Sequence, residues 1–177
     1  EGSTGVTEAG GTDTFTVVLN AQPDSDVVLS IISSDTGEAT VTSSLTFTSA
    51  NWDTAQTVTV TGADDDLIDG TVSSTTTISI NDASSDNNFD GVADQTVSVT
   101  TADDDVAGFT IAETEGSTGV TEAGGTDTFT VVLNAQPDSN VVLSIASSDT
   151  GEATVTGTVT FTPVSYTHLT LPTTYHV

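Results

Sequence analysis

Carboxylates are the chemically capable groups that this sequence offers in quantity. It has 26 Asp and Glu residues and no Lys, Arg or Cys. The densest runs are Asp64-Asp65-Asp66 followed by Asp69, and Asp103-Asp104-Asp105, while Glu8 precedes a strand-like run. Like carboxylates held together repel and raise one another's pKa. A hard divalent cation relieves that repulsion, and Ca²⁺ suits it because it takes roughly six to eight oxygen ligands at flexible geometry. An acidic run is by default a solvated face, so convergence of separate runs is what would distinguish a site. A second pattern, Asp86-Asn87-Asn88-Phe89-Asp90-Gly91-Val92-Ala93-Asp94, spaces Asp86, Asn88, Asp90 and Asp94 like the opening of a calcium-wrapping loop. Its closing bidentate Glu is missing, since Val97 stands there, and the alternative is a loop rich in turn residues.

The same inventory excludes much. Catalysis needs a positioned base, nucleophile or electrophilic clamp, yet before residue 164 the chain has no His, Cys, Lys, Arg or Tyr. A carboxylate pair hydrolysing glycosides would need an aromatic-lined cleft. Trp52 is the lone tryptophan, and it is expected to plug a sheet end rather than line one. The chain is therefore not expected to be an enzyme. A formal net charge of −26 makes nucleic acid and anionic membrane poor partners, because both are held chiefly by Lys and Arg. No membrane insertion is expected of this segment, and without Cys there is no disulfide or thiolate metal site.

The elements that must place these carboxylates are strands. Apolar and polar residues alternate with period two through 13–20, 27–33, 39–48, 55–61, 71–80, 95–101 and 108–113. Gly10-Gly11, Gln22-Pro23-Asp24, Asp35-Thr36-Gly37 and Asn81-Asp82 supply turns between them. Seven short strands at this spacing predict an all-β fold of immunoglobulin-like antiparallel sandwiches. In that topology 13–20 pairs with 55–61, and 71–80 pairs with 95–101. The end of 55–61, the end of 95–101 and the start of 13–20 then share one pole. Glu8, Asp64, Asp65, Asp66, Asp69, Asp103, Asp104 and Asp105 all flank that pole, which makes them the candidate ligands of a Ca²⁺ site.

The chain is a tandem repeat. Residues 1–49 recur as 115–163 with six differences among 49 pairs: Asp26/Asn140, Ile32/Ala146, Ser43/Gly157, Ser44/Thr158, Leu45/Val159 and Ser49/Pro163. The match stops at Val164. Expected boundaries are 1–105 for a repeat lacking its first strand, 106–163 for a second, incomplete module, and 164–177 for a non-native tail. Val164–Thr173 resembles the translation of a sequencing-library adapter, so the tail is expected to lie outside the fold.

The segments Thr57–Asp69 and Val97–Phe109, each ending a strand in an Asp triplet, resemble the Calx-beta repeat of sodium–calcium exchangers, an integrin and large bacterial surface proteins. The resemblance spans 1–163. It implies calcium ligands at the Glu before the second strand (Glu8, and Glu122 in the second copy), in Asp64–Asp66 with Asp69, and in Asp103–Asp105. The acidic stretch after the first triplet is shorter than in the family, and only Glu38 loosely matches a family ligand in the preceding turn. Fewer ligands imply weaker or fewer ions. The resemblance further implies a secreted or cell-surface, adhesin-like protein. Its partners would be neighbouring repeats of the same chain and a cell-surface or matrix ligand. A carbohydrate- or ligand-binding accessory module and a calcium-free acidic spacer are the alternatives.

Overall fold

The computed structural model describes residues 3–167 and 169–174. Its regular elements are almost entirely strands, in two compact units. The first comprises residues 1–65 and 69–104, and the second residues 66–68 and 105–177.

The first unit is a two-sheet sandwich. One sheet runs β1 (Ser3–Thr7), β8 (Gln95–Ala102), β7 (Val72–Ile80), β3 (Val27–Ser33), β5 (Ser44–Phe47). The other runs β2 (Thr12–Val17), β6 (Gln56–Gly62), β4 (Ala39–Val41). The pairings β2 with β6 and β7 with β8 are antiparallel, as the sandwich topology predicts. Period two sorts the side chains: in β6, Val58 and Val60 are buried while Thr57 and Thr59 face solvent. Between the sheets lies a core of Val27, Leu29, Ile31, Phe47, Val58 and Ile78. A second cluster of Val6, Ala39, Val60 and Val99 sits beneath the pole where the acidic runs emerge.

Two features depart from the expected strands. The run 39–48 is two strands in different sheets, because the chain changes sheet at Thr42-Ser43. The Thr42 N–H donates to Thr59 O (3.0 Å) and Ser43 O accepts from the Ile31 N–H (2.9 Å), so each residue stays bonded to its own side. Such corners let one strand close both sheets of a sandwich. The other departure is β1, which pairs parallel with β8 from Ser3↔Ser98 to Thr7↔Ala102. It turns Thr4 and Val6 inward.

In the second unit, β9 (Phe109–Glu113), β10 (Thr126–Leu133), β14 (Leu169–Thr174) and β12 (Thr154–Val155) form one sheet in the order β12-β14-β10-β9. Strands β11 (Val141–Ser144) and β13 (Thr158–Phe161) form the other. Val131, Leu133, Val159, Phe161 and Leu171 make the core. Part of the tail therefore belongs to a sheet: β14 lies beside β10 as β6 lies beside β2, with Leu171 opposite Phe129 where Val58 stands opposite Phe15. The alternation Leu169-Thr170-Leu171 satisfies the strand period whatever the origin of the tail. His168, Tyr175 and His176 lie outside the described residues. Among the described residues, no helix is long and apolar enough to cross a membrane.

Candidate metal centre

Three chain segments place three carboxylates together at the pole of the first unit. Ligand oxygens of Glu8, Glu38 and Asp69 all lie within 4.8 Å of one another, and one of Asp103 lies within 4.8 Å of Glu8. Glu8 is fixed at the end of β1 by its N–H, which donates to Ala102 O (3.1 Å) at the end of β8. The turn that follows is set by Gly10 at φ 78° and by the Gly11 N–H, which donates to Thr7 O (3.0 Å). Glu38 precedes β4, and its carbonyl accepts from the Ala63 N–H (2.8 Å) after β6 and the Thr101 hydroxyl (3.3 Å) in β8. Gly70, at φ 75°, donates its N–H to Asp103 Oδ2 (2.8 Å), tying the Asp69 turn to the end of β8.

Gly62 makes the close approach of Thr7-Glu8 to β6 possible. A Cβ at this glycine would lie 2.0 Å from the Thr7 carbonyl oxygen and 2.8 Å from its carbon. Gly62→Ala must push Thr7 and Glu8 away from β6. It is expected to destabilise the protein by about 1–3 kcal/mol, read as a lowered urea midpoint.

The electrostatics are unusual for carboxylates. Glu8 is 1 % exposed and Glu38 8 % exposed, and the Oε2 atom of each has no hydrogen-bond partner. Burial, reinforced by the charges of Asp69, Asp103, Asp65 and Glu38, pushes the Glu8 carboxyl up from 4.5 to about 7. Burial likewise raises Glu38, with Asp69, Asp35 and Asp65 adding to it. A protein normally offsets such a group with a basic side chain, and this chain has neither Lys nor Arg. The donor set is all oxygen, which fits a hard cation such as Ca²⁺ and does not fit the nitrogen and sulfur preferences of zinc.

The other expected ligands are distributed unevenly. Asp65 is half-buried and bears on the pole through its charge on Glu8 and Glu38, whereas Asp64 and Asp104 are exposed. Asp66 and Asp105 belong to the second unit. There the Asp66 carbonyl accepts from the Gln136 N–H (2.7 Å), and its carboxylate accepts from the Tyr166 hydroxyl. Glu122, the repeat counterpart of Glu8, is exposed and joins no three-membered acidic group among the described residues. Glu38 is the member of the cluster that spacing undervalued. Its signal was its place just after the Asp35-Thr36-Gly37 turn.

The loop carrying Asp86, Asn88, Asp90 and Asp94 is organised by backbone groups. Asp86 is buried, with Oδ2 accepting from the N–H groups of Asp24 (2.6 Å) and Ser25 (3.2 Å) and Oδ1 from that of Asn88 (2.9 Å). These bonds, the Asn88 one foremost, hold its pKa below the ordinary 3.8. Asn88, Asp90 and Asp94 are exposed. Asp86 thus caps the 3-10 turn Asn87–Phe89 and clamps it to the turn before β3. Asp86→Ala is expected to lower the melting temperature by the same several degrees with calcium or with chelator, in parallel thermal melts.

No family model matches the chain, and no curated protein matches it. Several solved structures resemble it at low similarity. The CBD12 structure from CALX1.2 has a TM-score of 0.39 and 15 % identity, covering 96 % of this chain and 71 % of that one. The calcium binding domain CBD12 of CALX1.1 has a TM-score of 0.40 and 17 % identity, covering 98 % and 73 %. The E. coli chaperone DraB reaches 0.42 at 7 % identity, covering 96 % and 82 %. Likenesses at these scores carry no weight for ligand or partner.

Proposed function

We propose that the first unit is a non-catalytic calcium-binding module, with Glu8, Glu38, Asp69 and Asp103 as ligands and Asp65 adding charge at the pole. The observation that carries this reading is the pair of buried Glu oxygens without partners, gathered with Asp69 in a chain that has no Lys or Arg to offset them. A bound Ca²⁺ would supply the missing positive charge and accept oxygens from all four segments, with water or carbonyls completing its shell. It would also tie the chain just after β1 to the turns after β3, β6 and β8. Because a ligand that binds only the ordered state stabilises it by mass action, the ion would stiffen the end of the repeat where β8 leads towards the next. That property suits a structural repeat of a secreted or cell-surface, adhesin-like protein.

Calorimetric titration of the chain with calcium at neutral pH tests the reading. Saturable heat is expected, together with a fall in melting temperature on chelation. No heat and no shift would leave a calcium-free acidic spacer as the better description.

A further inference from the structure

The sequence has two Asp-Gly steps, Asp69-Gly70 and Asp90-Gly91, and no Asn-Gly. The carboxyl carbon of an aspartate lies one bond beyond Cβ, so the nitrogen of the next residue can close on it in a five-membered ring. Glycine permits that closure best, because no Cβ crowds the nitrogen and its backbone turns freely. Whether a given step reacts is decided by the fold around it, and the two steps differ there.

Asp90 is held in helical backbone (φ −56°, ψ −29°) at the end of the 3-10 turn Asn87–Phe89, and the Val92 N–H donates across it to Phe89 O (3.0 Å). Ring closure needs the bond between Asp Cα and its carbonyl carbon to rotate until the glycine nitrogen eclipses the side chain. That turn resists the rotation. Asp69-Gly70 lies instead in irregular chain between β6 and β7, with both residues exposed and Gly70 at φ 75°. The Gly70 N–H donates to Asp103 Oδ2 (2.8 Å). An amide nitrogen attacks perpendicular to its peptide plane, whereas its N–H lies within that plane, so the bond to Asp103 leaves the attack open. A carboxylate set on the N–H can also receive the proton as the nitrogen becomes a nucleophile.

We propose that Asp69-Gly70 is a self-modification site, at which the chain converts Asp69 to isoaspartate with Asp103 as the base. The Gly70 nitrogen bonds to Cγ of Asp69 and passes its proton to Asp103. The Asp69 carboxyl group, as its acid, loses its hydroxyl, which takes up that proton and leaves as water. Water then opens the imide. Addition at Cγ restores Asp69, whereas addition at the former main-chain carbonyl leaves isoaspartate. In that product the main chain is one methylene longer and the carboxylate sits on Cα. It is drawn away from Glu8 and Glu38, whose ligand oxygens lie within 4.8 Å of that of the unmodified Asp69. The consequence for calcium rests on the function proposed above: the product binds the ion poorly, and a bound ion suppresses the reaction by holding both the Asp69 and Asp103 carboxylates.

Ageing the full chain for weeks in warm neutral buffer, with calcium or with chelator, tests this when isoaspartate is mapped by mass spectrometric fragmentation. In chelator, isoaspartate is expected at position 69 about tenfold faster than at position 90. Asp103→Asn should slow position 69 about tenfold or more, because the amide is a far weaker base. Position 90 should keep its rate in that variant, which shows that the fold is intact. Asp69→Glu, whose ring would have six members, should stay unmodified. Excess calcium should slow position 69 about tenfold or more, in proportion to the ion-free fraction, and leave position 90 alone. A rate at 69 no greater than at 90 in chelator overturns the proposal, and so does an Asp103→Asn rate equal to the parent's. An unchanged rate at 69 while titration shows the ion bound overturns the protection. Modification at 69 in a chain that titration shows to bind no calcium upholds the modification and removes only the calcium-binding reading.

Discussion

The Glu8→Gln, Glu38→Gln double variant is expected to melt higher than the parent protein in chelator and to lose its response to calcium. Each Glu is buried with an orphaned oxygen, and each faces other carboxylates. Removing a ligand's partner is ordinarily destabilising, but here the removed feature is repulsion and the desolvation of charge. Gln keeps the shape and can donate to the remaining carboxylates. A gain on the order of 1–2 kcal/mol in chelator is expected, after allowing for solvent screening at the pole. Calcium affinity should drop about a hundredfold or more, since it tracks the charge count of the ligands. Paired melts and titrations of parent and variant check both halves. A variant less stable than the parent in chelator would show that the two Glu residues serve as structural acceptors, and the calcium reading would lose its main support.

The pH dependence should invert with the metal. In chelator the Glu8 carboxyl titrates near 7 in the folded protein and near 4.5 when unfolded. Between those values the folded state holds more protons, so stability is highest at the acidic side, falls as pH rises through 7 and then levels. Glu38, raised in the same direction, adds to the fall. Asp86 and Asp127 are held low by backbone N–H groups, and their contribution is complete above the ordinary 3.8 and lost only below it. The interval from about pH 5 to pH 8 therefore reports the two Glu residues, with an expected loss on the order of 1–2 kcal/mol. With calcium in excess the ion competes with those protons, and affinity rises over the same interval. Chemical denaturation at a series of pH values should show opposite slopes with and without calcium. Parallel slopes would mean that the ion does not meet Glu8.

Much of this arrangement was legible from residues alone. Alternation placed the strands, and the sandwich topology brought Glu8, Asp69 and Asp103 to one pole. Other parts depended on contacts that local pattern does not contain. Glu38 is buried because its carbonyl is caught by Ala63 and Thr101, each far along the chain. Asp64, Asp65 and Asp66 look equivalent in sequence, but the chain divides among them, and Asp66 bonds Gln136 and Tyr166 instead. Spacing over Asp86–Asp94 matched an ion-wrapping loop, while the Asp86 carboxylate is taken up by N–H groups some sixty residues earlier. The strand β1 carries one buried apolar side chain, Val6, too weak a signal to separate from a polar leader. The sheet change at Thr42-Ser43 is set by pairing on both sides, and no Gly or Pro marks it.

The parallel pairing of β1 with β8 has a kinetic consequence. It joins the two ends of the first unit, as the bond from the Thr100 hydroxyl to Thr4 O, across 96 positions, shows. Closing so long a loop costs chain entropy, so this pairing is expected to form late. Glu8 rides on this long-range segment, and the expectation is that the ion's full set of ligands assembles only after the folding barrier is crossed. Calcium should then leave the refolding rate nearly unchanged and act as a latch that slows unfolding, a division that stopped-flow traces with and without the ion would resolve.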